Sequence, residues 1–457
     1  MSRLPLLRRL KKLLPSAEFR LEREFCQKFA GDKWFAAAVP DAVALPTSTG
    51  SVRKLLGFAN DHKIPVTARG AGYGYVGSCV PNRGGIVLSL EGMKRIHEIS
   101  PLDFVAVVEP GVITADLQEA VEKRGLFYPP DPASRADCTL GGNIATNAGG
   151  PRCLKYGVTR DYVLGVEVVL ADGTLVRLGG RTHKNKTGFD LHRLFVGSEG
   201  MLGIVTEAIL KLLPLPPYRS CLACGFGSTR AATRAITRIF QAGFLPCALE
   251  LADSFTLAAA RKRTGSRQLE GCHALFIVEL DGREKSVRSE IRELETIIQG
   301  EKPRFINRAL GPAASEKLWR LRREFSYSLR DTGLTKLNQD IVVPRSRLED
   351  LFHFTANLQK KHGLMVAAFG HAGDGNIHVN IMLDRTLPGA DARAEAALDD
   401  LFRQVLAWDG AVTGEHGIGI AKARWWPQAA DENVRELHHR VKMALDPRHI
   451  LNPGKFV

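Results

Sequence analysis

The chain has 457 residues, 44% of them hydrophobic and 25% charged, with a formal net charge of +14. That length implies two or three domains, each able to bury a core, and the composition excludes global disorder, collagen-like repeats and coiled coil. No uninterrupted apolar run reaches the about 18 residues of a membrane-spanning helix, while the basic excess leaves nucleic acid, an anionic surface or an anionic ligand open.

Residues 1–15 carry Arg3, Arg8, Arg9, Lys11 and Lys12 and no acid, which leaves +9 for the remainder. Leu6, Leu7, Leu10, Leu13 and Leu14 recur there at helical spacing. The pattern predicts a short basic amphipathic helix lying on a membrane or a partner, or else a solvated terminus. The segment lacks the apolar region of a secretory signal, and its acid-free, Arg-rich start would suit a transit peptide in a eukaryotic chain. Residues 51–63 follow as a helix with Val52, Leu55, Leu56 and Ala59 on one face. Val66 to Arg69 reads as a strand running into a Gly-rich turn. Phe104 to Val108 is a strand closed by Pro110-Gly111, and the helix after it takes Thr114 as N-cap and Gly125 as stop. Residues 165–178 alternate around Asp172-Gly173, a hairpin signal.

Pro214-Leu215-Pro216-Pro217 marks a domain junction. Beyond it, helices are expected near 229–241, 286–299 and 348–362, the last ended by Gly363, with strands at 274–280 and Met365 to Phe369. This is a second α+β unit. The chain then turns helical from 427 and turn-rich at Asp446-Pro447 and Asn452-Pro453-Gly454. The expected divisions are 1–40, 41–218, 219–426 and 427–457. The eight cysteines are scattered, which predicts reduced thiols and a cytoplasmic setting. Cys221 and Cys224 form a single CxxC, read as chance spacing because no second pair completes a metal set.

Three segments concentrate the glycines: Arg69-Gly70-Ala71-Gly72-Tyr73-Gly74-Tyr75-Val76-Gly77-Ser78, Thr139 to Gly150, and Gly197 to Thr206. Glycine lets backbone N–H groups approach a phosphate without an intervening side chain. Gly70, Gly72 and Gly74 give G-x-G-x-G, which is not the dinucleotide fingerprint, and no GxxxxGK[ST] loop is present. A large cofactor touching several separated loops fits better. In order and spacing, these segments together with Pro130-Asp131-Pro132 resemble the FAD-binding domain of the vanillyl-alcohol oxidase (PCMH-type) flavoproteins. The resemblance implies an α+β PCMH-type FAD-binding domain over 41–218. Its pyrophosphate contacts would come from Arg69, Gly70, Ala71, Gly72, Tyr73, Gly74, Gly77 and Ser78. The remaining contacts would come from Pro130, Asp131, Ala136, Gly141, Gly142, Asn143, Thr146, Gly149, Gly150, Gly200, Gly203, Ile204 and Val205. Tyr73 stands where a flavin-linking His occurs in some relatives, so noncovalent FAD is expected.

In the second half, Phe369 to Asn380 reads FGHAGDGNIHVN, and Thr413-Gly414-Glu415-His416-Gly417-Ile418-Gly419 comes later. His378 and Asn380 lie two apart on a strand-like run and share a face. His371 sits across a Gly-flanked turn and can fold back towards them. Two imidazoles and the Glu415 carboxylate suit Zn2+ or a similar divalent ion with an open position. These motifs, with Asp446-Pro447 and Leu451-Asn452-Pro453-Gly454-Lys455, resemble the D-2-hydroxyacid dehydrogenase group, which includes the glycolate oxidase FAD subunit, cytochrome-type D-lactate dehydrogenase and D-2-hydroxyglutarate dehydrogenase. The resemblance spans roughly 40–457. It implies a metal site at His371, His378 and Glu415, His416 as catalytic base, and Asn380 facing substrate. Glu415 and Asn452 would also meet the cofactor, in a chain returning to the flavin over 427–457 after a substrate-capping domain at 219–426. Leu318 to Glu324 resembles the segment supplying an Arg for the substrate carboxylate, with Arg322 expected and Arg323 its alternative. Lys336 and Asn338 stay unassigned.

The expected activity is FAD-dependent dehydrogenation of a D-2-hydroxy acid (glycolate, D-lactate or D-2-hydroxyglutarate class) by hydride transfer to flavin N5. The electrons would pass to a quinone, a cytochrome, an electron-transfer flavoprotein or an iron–sulfur subunit. Residues 1–15 would touch the inner membrane from the cytoplasmic side. The alternatives are a flavoprotein of the same fold acting on another alcohol and a basic nucleic-acid-binding protein. The latter lacks any recognisable helix-turn-helix, RRM or Cys/His finger, so no nucleic-acid partner is expected.

Overall fold

The proline run at 214–217 divides the chain. In the computed structural model, which describes residues 3–457, one unit comprises residues 3–150, 157–215 and 415–457, and the other residues 151–156 and 216–414. The return to the first unit therefore begins at Glu415, ahead of the helical segment expected from 427, and residues 3–40 belong to that unit from the start.

The first unit holds strands β1 (Phe19–Arg20), β2 (Ala42–Ala44), β3 (Val66–Arg69), β4 (Ile86–Ser89), β5 (Ile96–Ser100), β6 (Val105–Val108), β7 (Leu126–Phe127), β8 (Val163–Val169), β9 (Leu175–Gly179), β10 (Ile204–Lys211) and β11 (Leu213–Pro214). They build a four-stranded sheet ordered β1-β2-β4-β3, a five-stranded sheet ordered β5-β6-β10-β8-β9 and a β11-β7 pair. In the first sheet β2, β4 and β3 run parallel. The Thr49–Asp61 helix covers it, capped by Ser48 Oγ, which accepts from Ser51 N–H at 3.2 Å. Val52, Leu55, Leu56 and Ala59, the expected stripe, are all buried.

The N-terminal leucines are used differently from expectation. The Leu4–Leu13 helix forms, but Leu7, Leu10 and Leu14 join the core with Val52, Leu55, Ile86 and Leu88. Those three leucines are thus internal to the unit, where burying them is worth more than wetting them, while Leu4 and Leu13 stay exposed. Among the described residues no helix is long and apolar enough to cross a membrane. Two smaller corrections are local. Thr114 is the first helical residue rather than the cap, and its Oγ1 accepts from Asn143 Nδ2 at 2.6 Å. The second glycine segment contains a helix, Leu140–Thr146, capped by Thr139, whose Oγ1 accepts from Gly142 N–H.

The second unit carries β12 (Tyr218–Phe226), β13 (Ala248–Asp253), β14 (Ala274–Gly282), β15 (Phe305–Leu310), β16 (Thr335–Val342), β17 (Met365–His371) and β18 (Asn376–Leu383). They form one antiparallel sheet ordered β15-β12-β14-β13-β17-β18-β16. The Ser254–Thr264 and Pro312–Arg330 helices pack together on the face that carries Ala223, Ala248, Ala252, Ile277, Ala367 and Phe369. A second set of helices, Thr229–Gln241, Glu284–Gln299, Leu348–His362 and Ala390–Ala407, packs on β12, β14, β17 and β18. Cys221 and Cys224 lie three apart on β12 and so point to opposite faces. Strand geometry removes any shared ligand role for that CxxC.

Candidate active site

In the first unit the three glycine segments converge. β3 delivers Arg69 and the loop after it. A Cβ at Gly70 would overlap Thr139 Oγ1 and lie 3.5 Å from Gly142 N, so the first segment rests on the N-terminus of the 140–146 helix. Gly197 N–H donates to Ile144 O and Glu199 N–H to Ala145 O, both at 2.8 Å, which ties the second segment to the third. Glu199 closes the set: Ser78 Oγ–H donates to its carboxylate, as do Ile418 N–H at 2.7 Å and Gly419 N–H at 3.0 Å. Burial pushes the Glu199 carboxyl up from its ordinary range, against those three donors. Where Cβ atoms would collide, backbone takes their place. The gathering of helix N-terminus and glycine turns is suited to the phosphates of a dinucleotide.

The expected cofactor residues sort into two kinds. Gly70, Ala71, Gly72, Tyr73, Gly74 and Ser78 are half-buried around the loop, with Gly77 and Gly200 buried beneath. Others spend their side chains on the protein. Asn143 holds Thr114, Thr146 Oγ1 donates to Gly142 O at 3.1 Å, and Gly203 lies where a Cβ would press on Val168 and Phe195. Asp131 backs Gly150, Ala136 is exposed on a turn, Gly141 and Gly149 lie within the second segment, and Ile204 and Val205 lie near the end of the third. Asn452 is fully engaged: its Oδ1 accepts from Ala68 N–H at 2.7 Å and its Nδ2 donates to Glu199 O. It fastens the strand before the first glycine loop to the third segment.

Sequence reasoning missed what supports this loop. Asp32 Oδ2 accepts from Gly77 N–H at 2.8 Å, Lys33 N–H donates to Gly74 O at 2.9 Å, and Arg69 Nη1 donates to Gly31 O at 2.5 Å. Residues 31–33 thus hold the first loop in shape. His416 stacks on Tyr75 of the same loop, with ring centroids 5.1 Å apart. Gly417, at φ +86°, lets the chain pass Glu199 where a side chain would collide.

In the second unit, register puts the chemistry on one sheet face. His378 pairs with Asp340, Asn380 with Asn338, Phe369 with His378 and Glu250 with His371. With a period of two, Glu250, His371, His378, Asn380, Asn338 and Lys336 share that face. The 312–330 helix covers it and brings Arg322. Arg322 Nε donates to Glu250, and His371 Nδ1 donates to the other Glu250 oxygen at 2.5 Å. Burial would raise the Glu250 carboxyl, but Arg322 and then His371 hold it well below the usual range. The Arg322 guanidinium lies 4.9 Å from the Phe369 ring centre, and its side chain is 13% exposed. Arg323 instead reaches Glu316 and is half exposed, so of the two arginines only Arg322 joins this group.

Asn380 is buried, with Nδ2 donating to Ala367 O at 3.2 Å and His378 O at 2.9 Å. Its Oδ1 and that of Asn338 have no hydrogen-bond partner among the described residues. Lys336 Nζ donates to Ser326 Oγ at 2.8 Å, and burial followed by Arg330 pushes its pKa down to about 8. Thr413 Oγ1 and Gly414 N–H both donate to Asp340 at 3.0 Å, which fixes the chain just before Glu415. His371, His378 and Glu415 each offer one ligand atom, and these atoms lie within 4.8 Å of one another. Two imidazoles and a carboxylate at that spacing fit a divalent ion of the zinc type. Glu250, Glu199 and Asp340 were not singled out from sequence. The signal was there for Glu250: an acid inside the apolar run Ala248-Leu249-Glu250-Leu251-Ala252, where it can be buried only with partners.

Comparison with known proteins agrees across the chain. Residues 40–179 match the family model described as FAD binding domain, and residues 215–456 match FAD linked oxidases, C-terminal domain. The glycolate oxidase subunit GlcD of Bacillus subtilis is 38% identical over 92% of this chain and 89% of its own. A D-lactate dehydrogenase of Anaerostipes hadrus is 33% identical over 92% and 90%. The mitochondrial D-lactate dehydrogenase [cytochrome] of Arabidopsis thaliana is 31% identical over 95% and 76%. Among solved structures, substrate-bound p-cresol methylhydroxylase superposes with a TM-score of 0.79 at 19% identity, covering 99% of this chain and 96% of its own. Alkyldihydroxyacetonephosphate synthase does so at 0.77 and 19%, covering 100% and 85%. At those identities the structures speak for the fold alone.

Proposed function

This chain belongs to the FAD-linked oxidase family, and from that premise we propose that it is an FAD-dependent dehydrogenase that converts a D-2-hydroxy acid to the 2-oxo acid. The observation that carries this is the chemistry of one sheet face, where Arg322 stands beside a His371–His378–Glu415 donor set. The glycine segments around Gly70, Gly142 and Gly200 would hold FAD noncovalently, and the flavin would supply the acceptor for the hydride from C2. A divalent ion such as Zn2+ on His371, His378 and Glu415 would supply Lewis acidity toward the substrate hydroxyl. Among the described residues the two Nη groups of Arg322 make no hydrogen bond, so they are available as a fork for the substrate carboxylate. His416 takes the hydroxyl proton; imidazole titrates near neutrality, as that task requires. Asn380 and Lys336 line the same face and bear on which 2-hydroxy acid is accepted.

The test is anaerobic. Purified holoenzyme is mixed with a panel of D- and L-2-hydroxy acids, with and without chelator, while the oxidised flavin band is followed. Bleaching by a D-2-hydroxy acid, slowed after chelation, is the expected result. A flavin that no 2-hydroxy acid reduces would overturn the assignment.

A further inference from the structure

Glu250 is 1% exposed, sits at the centre of β13, and is held by two donors at once. One oxygen accepts from Arg322 Nε and the other from His371 Nδ1. A carboxylate only accepts, so this contact fixes the proton of His371 on Nδ1 and leaves the Nε2 lone pair for a metal. The cross-strand register of Glu250 with His371 makes the arrangement a property of the sheet rather than of a mobile loop. Arg322 cannot turn away either, because its guanidinium lies over Phe369, itself the neighbour of His378 across β17 and β18.

We infer that Glu250 is the positioning residue that sets metal affinity and substrate-carboxylate binding together, by orienting His371 with one oxygen and Arg322 with the other. This rests on the metal-assisted reading above and adds to it a residue that touches neither substrate nor ion. A carboxylate behind a ligating imidazole raises its basicity, and removing such a partner costs roughly 10–100-fold in metal affinity. Arg322, released from Glu250, would lose the fixed orientation of its fork, and that loss falls on KM rather than on kcat.

The experiment compares wild type, Glu250→Gln, Arg322→Met and the double variant as FAD-loaded proteins. Zn2+ affinity is measured by competition with a chromogenic chelator, and KM and kcat are measured with the best acid of the panel. Glu250→Gln should weaken Zn2+ about tenfold or more and raise KM, with flavin content unchanged. Arg322→Met should raise KM about as much, yet hold Zn2+ within about twofold of wild type. The double variant leaves no unpaired buried guanidinium, so it remains measurable if Glu250→Gln folds poorly, and it should retain the weakened Zn2+ affinity. Unchanged Zn2+ affinity in the variants lacking Glu250 overturns the inference while the metal-assisted reading stands. A wild type that binds no divalent ion overturns both.

Discussion

Asn452 offers the sharpest test of how the cofactor loops are held. It is buried at φ +43°, a left-handed conformation that Asn tolerates better than Ala does. Its amide satisfies Ala68 N–H and Glu199 O at once. Asn452→Ala leaves both backbone groups buried without a partner, at about 1–3 kcal/mol each, and places Ala where a side chain costs about 1 kcal/mol or more. Allowing for partial relaxation, a loss of about 3–5 kcal/mol is expected. Asn452→Gly removes the same bonds without the conformational cost and should recover about 1 kcal/mol of the loss. Ala68 precedes the first glycine loop and Glu199 belongs to the third segment, so the same energy opposes FAD binding. At about 1.4 kcal/mol per decade, flavin affinity should fall by at most about two to four orders of magnitude. Urea denaturation followed by flavin and tryptophan fluorescence, together with FAD titration of the apoprotein, reads both quantities. An Asn452→Ala protein that unfolds at the wild-type urea concentration and holds FAD equally well would refute the reasoning.

Other predictions concern separate parts of the molecule. His416→Ala should abolish turnover while the protein stays yellow; an unchanged rate of flavin reduction would remove His416 from proton transfer. Leu10→Ala should cost about 2–5 kcal/mol, as a fully buried leucine does, and a denaturation midpoint unmoved by it would mean that the N-terminal helix is dispensable to the core. Lys336 sheds its proton near pH 8 when folded but only near 10.5 when unfolded. Between those values unfolding takes up a proton, so this group's contribution to stability rises with pH. Lys336→Met should lose that slope in pH-dependent denaturation curves. In the wild type KM should climb above pH 8 as the ammonium is lost, and a KM equally flat in both proteins would separate Lys336 from substrate binding.

The glycine segments and the two histidine motifs were legible because their chemistry is local: glycine density and a His-x-Asn alternation can be counted along a chain. The helix at 49–61 and the paired strands around Asp172-Gly173 were legible for the same reason, since periodicity and turn residues are near-neighbour properties. The long helices Pro312–Arg330 and Ala390–Ala407 were not anticipated. Their exposed polar positions dilute the pattern, and the sheet they pack on supplies the stability that propensity does not.

Sequence alone determined the family resemblance, the donor types and the three backbone cradles. Only tertiary structure decided the partners. It turned Leu7, Leu10 and Leu14 inward, put Arg322 against Glu250 and Arg323 against Glu316, and set Glu250 behind His371 and Glu199 between Ser78 and Ile418. The physical reason is common to all of these. A charge or an apolar stripe states that it needs a partner, but which partner depends on strand register and on chain segments brought together across hundreds of residues.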